Sequence, residues 1–257
     1  MADLIRIASV NCQGLATSSK RQDVLNYYKK QGYSILCLQD THFIRDIEPL
    51  IETQWGYKCI FNSFKSNSRG VSIFFNNNFE FKIHNEMRDD DGNLLAIDTT
   101  IEDNHVTLIN IYGPNADNPG FYEKVRDTFL NLDNDYFILC GDFNLVLNPE
   151  VDTFNYCNIN NPKAREKVLD IMKDLQLVDY FKILHPDRRI YTWRKKNPLK
   201  QSRLDYILIS ESLTNMVEKF STKPGYRSDH SAVVLELKFN KFSRGRGLWK
   251  FNNSLLT

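Results

Sequence analysis

The sequence predicts an α/β sandwich whose sheets are largely antiparallel, and three observations predict it. Seven short apolar runs rich in β-branched and aromatic residues recur along the chain, three segments between them carry apolar residues at helical spacing, and several joins look like hairpins, as at Asp91-Gly92 and across residues 101–105. No internal repeat or low-complexity stretch interrupts the alternation.

The expected strands fall at residues 4–10, 35–38, 71–75, 106–112, 137–140, 204–209 and 232–239. Helical periodicity is carried by Val24, Leu25 and Tyr28 within 19–31, by Val125 and Phe129 within 121–132, and by Val168, Ile171, Met172 and Leu175 within 163–177, with a shorter segment at 211–220. Ser18 or Ser19, Asn118 before Pro119 and Asn161 before Pro162 are the expected helix caps.

A chain of 257 residues suffices for one large domain or two small ones with a real core. Its 33 basic and 32 acidic residues leave a net charge of +1, which excludes attraction to a polyanion by bulk charge but permits a basic patch on one face. The opening Met-Ala-Asp-Leu lacks a basic-then-apolar signal region, and no apolar run approaches the ~20 residues that span a bilayer, so a soluble intracellular protein without a membrane partner is expected. Cys12, Cys37, Cys59, Cys140 and Cys157 are scattered singly with no C-x-x-C pair; they are expected to be reduced, Cys37 and Cys140 filling the core. Composition changes at Asn240, where KFSRGRG is basic and glycine-rich without an acid. Residues 1–239 are therefore expected to form the compact domain and 240–257 a linker.

The expected strands end in a common manner. One stops at Asn11, another at Gln39 and Asp40, a third at Tyr112, Pro114 and Asn115, and a fourth at Gly141, Asp142 and Asn144; Asp205 opens a further strand, and Ser228, Asp229 and His230 precede the last. Where strands run antiparallel, the start of one lies beside the end of the next, so these groups can share one rim. Three carboxylates gathered there, Asp40, Asp142 and Asp229, repel unless a cation joins them, and Mg²⁺ takes oxygen ligands from carboxylates while leaving positions for water and phosphate. Such a set suits metal-assisted hydrolysis of a phosphate ester. Any one of these residues alone reads more simply as a turn former or cap. His84, His105 and His185 have no polar company and read as surface or satisfied residues; His42 stands beside the rim in a supporting place.

NCQG at 11–14, LQDTH at 38–42, NIYGPN at 110–115, GDFN at 141–144, SRLDYIL at 202–208 and RSDH at 227–230 together resemble the endonuclease/exonuclease/phosphatase superfamily, in order and spacing, across roughly residues 4–239. Within it the chain is most similar to the apurinic-like endonuclease domain of LINE-type retrotransposon proteins of the L1 or Tx1-like group, and GRGLWKFNNSLL at 245–256 looks like the junction to a reverse transcriptase domain. The resemblance implies a four-layer, DNase I-like α/β sandwich of two mostly antiparallel sheets flanked by helices. It also implies a Mg²⁺-dependent nick in double-stranded DNA, with Mn²⁺ a possible substitute, leaving a 3′-hydroxyl that primes reverse transcription in the nucleus. By the same resemblance Asp40 stands where the family has a Glu metal ligand, with Asn11 holding phosphate and metal-bound water and Asp229 completing the acidic cluster. Asp142 orients or deprotonates the attacking water, Asn144 holds phosphate, His230 contacts the scissile phosphate and is oriented by Asp205, and Tyr112 lies near the leaving group. Thr192 and Ser228 are supporting polar positions by the DNA. Asp for Glu at position 40 shortens the side chain by one methylene, so a weaker hold on Mg²⁺ is expected.

Residues 193–203, WRKKNPLKQSR, carry Arg194, Lys195, Lys196, Lys200 and Arg203 without an acid, and Asn197-Pro198 gives them a turn. A solvated hairpin tip is the plain reading. The stretch resembles the hairpin that LINE endonucleases set against the minor groove, where basic residues hold phosphates and sense groove width, which implies loose, A/T-leaning specificity. Asn115 in the 113–120 loop and the segment 155–163 are further expected DNA contacts. The isolated domain is expected to be monomeric. Rival expectations are an abasic-site repair endonuclease, a phosphoinositide phosphatase or sphingomyelinase of the same fold, and a DNA-binding module that has lost metal chemistry through Asp40.

Overall fold

The computed structural model describes residues 4–132, 134, 136–156 and 160–239. Cys157 and the expected linker at 240–257 lie outside them. Two six-stranded sheets form the centre. The first runs β14 (Val217–Lys223), β15 (Ala232–Leu237), β1 (Ile5–Asn11), β2 (Ile35–Gln39), β4 (Val71–Phe75) and β3 (Cys59–Asn62). The second runs β10 (Leu177–Val178), β13 (Asp205–Ser210), β8 (Tyr136–Asp142), β7 (Asn104–Tyr112), β6 (Leu94–Ile101) and β5 (Phe81–Arg88). Within these sheets all neighbours pair antiparallel except β1 with β2 and β7 with β8.

Three apolar layers define the sandwich. Ile7, Ile35, Cys37 and Ile73 of the first sheet meet Ile97, Leu108, Cys140 and Ile207 of the second. Leu36, Leu38 and Val234 pack outward against α1 (Ser18–Lys30) and α2 (Glu48–Trp55). Ile109, Leu139 and Leu208 pack outward against α3 (Pro119–Leu130) and α5 (Pro162–Asp174). Strands buried on both faces need not alternate, which is why the sequence shows them as continuous apolar runs. Short turns α4 (Pro149–Asp152) and α6 (Tyr180–Leu184) flank a three-stranded ribbon of β11 (Trp193–Lys195), β12 (Lys200–Ser202) and β9 (Thr153–Phe154). The expected hairpin at 193–203 is β11 and β12.

The segment 211–220 is not a helix. A 3-10 turn covers Glu211–Met216 and the chain then becomes the edge strand β14, because Val217 and Phe220 find partners in Leu237 and Leu235 of β15. Strands β3, β5 and β6 and helix α2 also go beyond the expected set. Half-exposed β5 carries Lys82, His84, Asn85, Glu86 and Arg88 on an outer edge, where no continuous apolar run is required. Asn118 caps α3 by accepting from Phe121 N–H at 3.2 Å. Asn161 is left-handed with no cap bond of its own, and Asp117 instead accepts from Lys163 and Ala164 N–H at 3.2 and 2.8 Å. Thr17, rather than Ser18 or Ser19, precedes α1.

Candidate active site

Strand register gathers the polar ends. Parallel pairing sets Asn11 beside Gln39 and Tyr112 beside Asp142, antiparallel pairing sets Asp205 opposite Asp142, and a bridge joins Trp193 to His230. Gly141 makes the approach possible: with φ at +141°, a Cβ there would lie 2.0 Å from the Ile111 carbonyl oxygen. β8 can thus lie against β7 and present Asp142 at the rim.

Asp142 is 1% exposed; its Oδ2 accepts from Asn11 Nδ2 at 2.8 Å and its Oδ1 from the Asn144 N–H at 2.9 Å. Asn144 is held by its Nδ2 donating to the Gly113 carbonyl at 2.7 Å. His230 donates from Nδ1 to Asp205 at 2.9 Å, while Nε2 lies 3.8 Å from both Asp142 Oδ2 and Asp229 Oδ1. Burial pushes the Asp142 carboxyl up to about 7, with Asp205 adding to the rise and His230 opposing it. At His230 burial works against the cation, but the Asp205 and Asp142 carboxylates overcome it and lift the imidazole to about 10. Near neutrality the site therefore holds an imidazolium between two carboxylates, one of which exchanges its proton. Burial, with Asp40 and Asp142 nearby, raises the Tyr112 hydroxyl and keeps it protonated.

These groups border a cavity of about 490 Å³ shared by Asn11, Asp40, Tyr112, Asn115, Asp142, Asn144 and His230. Val146, Pro149, Tyr156, Trp193 and Leu204 form an apolar wall beside them, which the sequence reading did not anticipate. No local pattern marks that wall; its members come from four separated segments.

Other expected members stand elsewhere. Asp229 stands at the edge of the group: the Trp193 indole Nε1 donates to its Oδ2 at 3.0 Å, its Oδ1 lies 3.8 Å from His230 Nε2, and it does not border the cavity itself. Thr192 is fully buried rather than set against DNA: its Oγ1 accepts from Leu204 and Asp205 N–H at 3.0 Å each, which fixes the start of β13 and so Asp205. Ser228 bridges Asn11 O and His230 N–H. Arg203 is 2% exposed, bonded to Asp179 at 2.6 Å and stacked on Tyr206 and Phe181. It is an anchor of the hairpin and not a DNA contact. Arg194, Lys195 and Lys196 do stand exposed on the hairpin, and Lys200 lies over the Tyr156 ring. His84 and His105 stack on the exposed face of the second sheet, away from the site.

Asp142, Asp205 and His230 offer ligand atoms within 4.8 Å of one another. Within that triad Asp205 is already bonded to His230 Nδ1 at 2.9 Å, and Asp142 to Asn11 and the Asn144 N–H. The oxygen donors better suited to a hard divalent ion are Asp40, whose two hydrogen bonds both fall on Oδ1, and Asn11 Oδ1. The donor set fits such an ion.

Fold and cavity together define a phosphate-ester hydrolase of the nuclease type. A model of the endonuclease/exonuclease/phosphatase family matches residues 8–230, and the chain belongs to that family. It is 26% identical over 261 residues to the transposon TX1 uncharacterized 149 kDa protein of Xenopus laevis, covering 98% of this chain but only 19% of that protein. It is 27% identical over 259 residues to the exodeoxyribonuclease of Bacillus subtilis strain 168, covering 90% of this chain and 98% of the relative. Among solved structures it is similar in fold to the AP endonuclease LMAP of Leishmania major, at a TM-score of 0.77 and 18% identity over 91% of this chain and 88% of that one.

Proposed function

We propose that this chain is a divalent-metal-dependent endonuclease that nicks double-stranded DNA by phosphodiester hydrolysis, leaving a 3′-hydroxyl that primes reverse transcription of a LINE-type element. One observation carries the hydrolytic part: the buried Asp142 carboxylate, held by Asn11 and the Asn144 N–H, and the His230 ring fixed by Asp205 border one cavity with Asn11, Asn144 and Tyr112. The similarity to the Tx1 transposon protein supports the biological setting, with a reverse transcriptase domain as the covalent partner and the nucleus as the place of action.

In this mechanism Asp142, whose proton affinity lies near the operating pH, orients the attacking water and takes its proton. As the water oxygen bonds to phosphorus, the bond from phosphorus to the 3′-oxygen breaks. The Tyr112 hydroxyl hydrogen-bonds that leaving oxygen, which takes a proton from solvent water and departs as a 3′-hydroxyl while the 5′-phosphate remains on the other fragment. His230 offers its Nε2–H to the charge developing on the phosphate, and the Asn144 and Asn11 side chains hold phosphate and water in place. Mg²⁺ or Mn²⁺, held by Asp40 with help from Asn11, would supply further charge stabilisation at the phosphate. Arg194, Lys195, Lys196 and Lys200 grip the duplex backbone, joined by Asn115 at the rim.

Relaxation of supercoiled plasmid with Mg²⁺, with EDTA, and by the Asp142→Ala and His230→Ala variants tests this reading, with nick termini mapped by primer extension. A parent that gives no metal-dependent nick ends it. The apolar wall of Val146, Tyr156, Trp193 and Leu204 favours a second reading, an abasic-site endonuclease that receives a base-free sugar. Cleavage of an abasic duplex far faster than intact plasmid selects that reading.

A further inference from the structure

We propose that His42 is a positioning residue that aims the Asp40 carboxylate at the divalent cation, an inference that rests on the metal-dependent reading above. Three segments meet beside the cavity and are stitched by backbone bonds: Gly14 N–H to Asp40 O at 2.8 Å, Leu15 N–H to Thr41 O at 2.8 Å, Thr41 N–H to Gly70 O at 3.0 Å and His42 N–H to Arg69 O at 2.8 Å. Within this knot four non-glycine residues, Gln13, Asp40, His42 and Arg69, are left-handed, with φ of 49°, 50°, 57° and 60°. Side chains adopt that conformation at a cost, and such residues gather where a surrounding structure holds them to a task.

The product of the knot is a clamped carboxylate. Asp40 Oδ1 accepts from His42 Nε2 at 3.0 Å and from the Arg69 N–H at 3.1 Å. An ionised carboxylate only accepts, so the imidazole proton sits on Nε2. Gly14 makes the room for the ring: a Cβ there would lie 2.6 Å from His42 Nδ1. Aspartate has two side-chain torsions, and two bonds on one of its oxygens fix both. Oδ2 is then the atom left to a cation. A carboxylate on so short a side chain depends on such a clamp, since it cannot search for the ion. His42 thus stands to Asp40 as Asp205 stands to His230, each partner setting the direction of a group that faces the cavity.

Mn²⁺ binding by electron paramagnetic resonance on the whole chain, in parallel with Mg²⁺ titrations of plasmid nicking, tests the proposal. His42→Phe keeps a ring under Gly14 but donates nothing, and is expected to weaken Mn²⁺ binding about 10–100-fold and to raise the Mg²⁺ needed for half-maximal nicking by the same factor. Nicking at saturating Mg²⁺ stays within a few-fold of the parent. His42→Gln, which retains a donor, recovers most of the binding. His42→Phe binding Mn²⁺ as the parent does overturns the proposal, as does His42→Gln failing as badly as His42→Phe, or a parent that binds no Mn²⁺. A parent that binds Mn²⁺ through His42 and Asp40 yet never nicks DNA overturns the endonuclease reading alone.

Discussion

The floor of the cavity and the hairpin above it are built on opposite terms. On the floor Asp142, Asp205 and His230 are at most 6% exposed, and each is engaged with its neighbours in hydrogen bonds or charge contacts. On the hairpin Arg194, Lys195 and Lys196 stand in solvent. Buried groups in fixed geometry suit chemistry, which tolerates little displacement; exposed cations on a short ribbon suit a polyanion whose backbone varies in shape. Arg203 shows where one regime gives way to the other. It closes the basic stretch in sequence, yet it lies with Asp179 and Asp152 beneath the ribbon.

The sharpest way to break the contrast is to remove floor groups. Asp142→Ala or His230→Ala is expected to slow plasmid nicking about 10²–10⁴-fold, whereas hairpin changes leave the chemical step nearly intact. Next comes Arg203→Ala, which takes the buried cation from Asp179 and leaves Asp152 to Lys182 alone; chemical denaturation should show a loss of about 3–5 kcal/mol, and a loss under 1 kcal/mol would return Arg203 to the hairpin surface. The combined Arg194→Ala, Lys195→Ala, Lys196→Ala variant should weaken duplex binding and lower its log–log salt slope by about 0.9 for each phosphate contact removed. An unchanged slope would detach the hairpin from DNA. Asp40→Glu lengthens the carboxylate by one methylene and is expected to lower the Mg²⁺ requirement several-fold; coincident curves would sink the expectation that Asp40 holds the ion weakly.

The smallest effect is on stability with pH, read in EDTA. His230 has a folded pKa raised to about 10, so its stabilisation is complete below about 6.5 and is lost as pH rises toward 10. The parent's melting-temperature advantage over His230→Asn should therefore shrink by a few degrees across that window. Asp142 is also raised, to about 7, and a raised carboxyl favours its protonated form. The parent should then lose ground to Asp142→Asn between about pH 4 and pH 7, and stability that climbs there instead would contradict the burial of this group.

The floor was legible in the sequence because strand ends are. An apolar run that stops at Asn11, Asp142 or Tyr112 states both where the strand lies and what it delivers, and the sheet register then brings the ends together. Side choice was not legible. Thr192 and Arg203 flank a basic turn and look like surface, but residues at the two roots of a hairpin face inward where the ribbon joins the core. Asp229 sits next to His230 in sequence and keeps one oxygen 3.8 Å from its Nε2, while the other accepts from the Trp193 indole, a contact that only the folded hairpin provides. The clamp on Asp40 rests on left-handed residues from three segments, and neither composition nor periodicity records a φ angle. Edge strands β5 and β14 escaped notice because one exposed face and polar side chains erase the apolar run on which recognition depends.

The double acceptance by Thr192 Oγ1, with Arg203 beneath it, gives the hairpin a socket as much as an anchor. The tip beyond Trp193, residues 194–200, can change length or sequence while Trp193 keeps its place against His230 and the start of β13, and Asp205 with it, stays where it is. The tip is thus mechanically separable from the floor, and on the endonuclease reading proposed above a hairpin exchanged at these two roots is expected to change duplex binding while leaving the floor geometry in place.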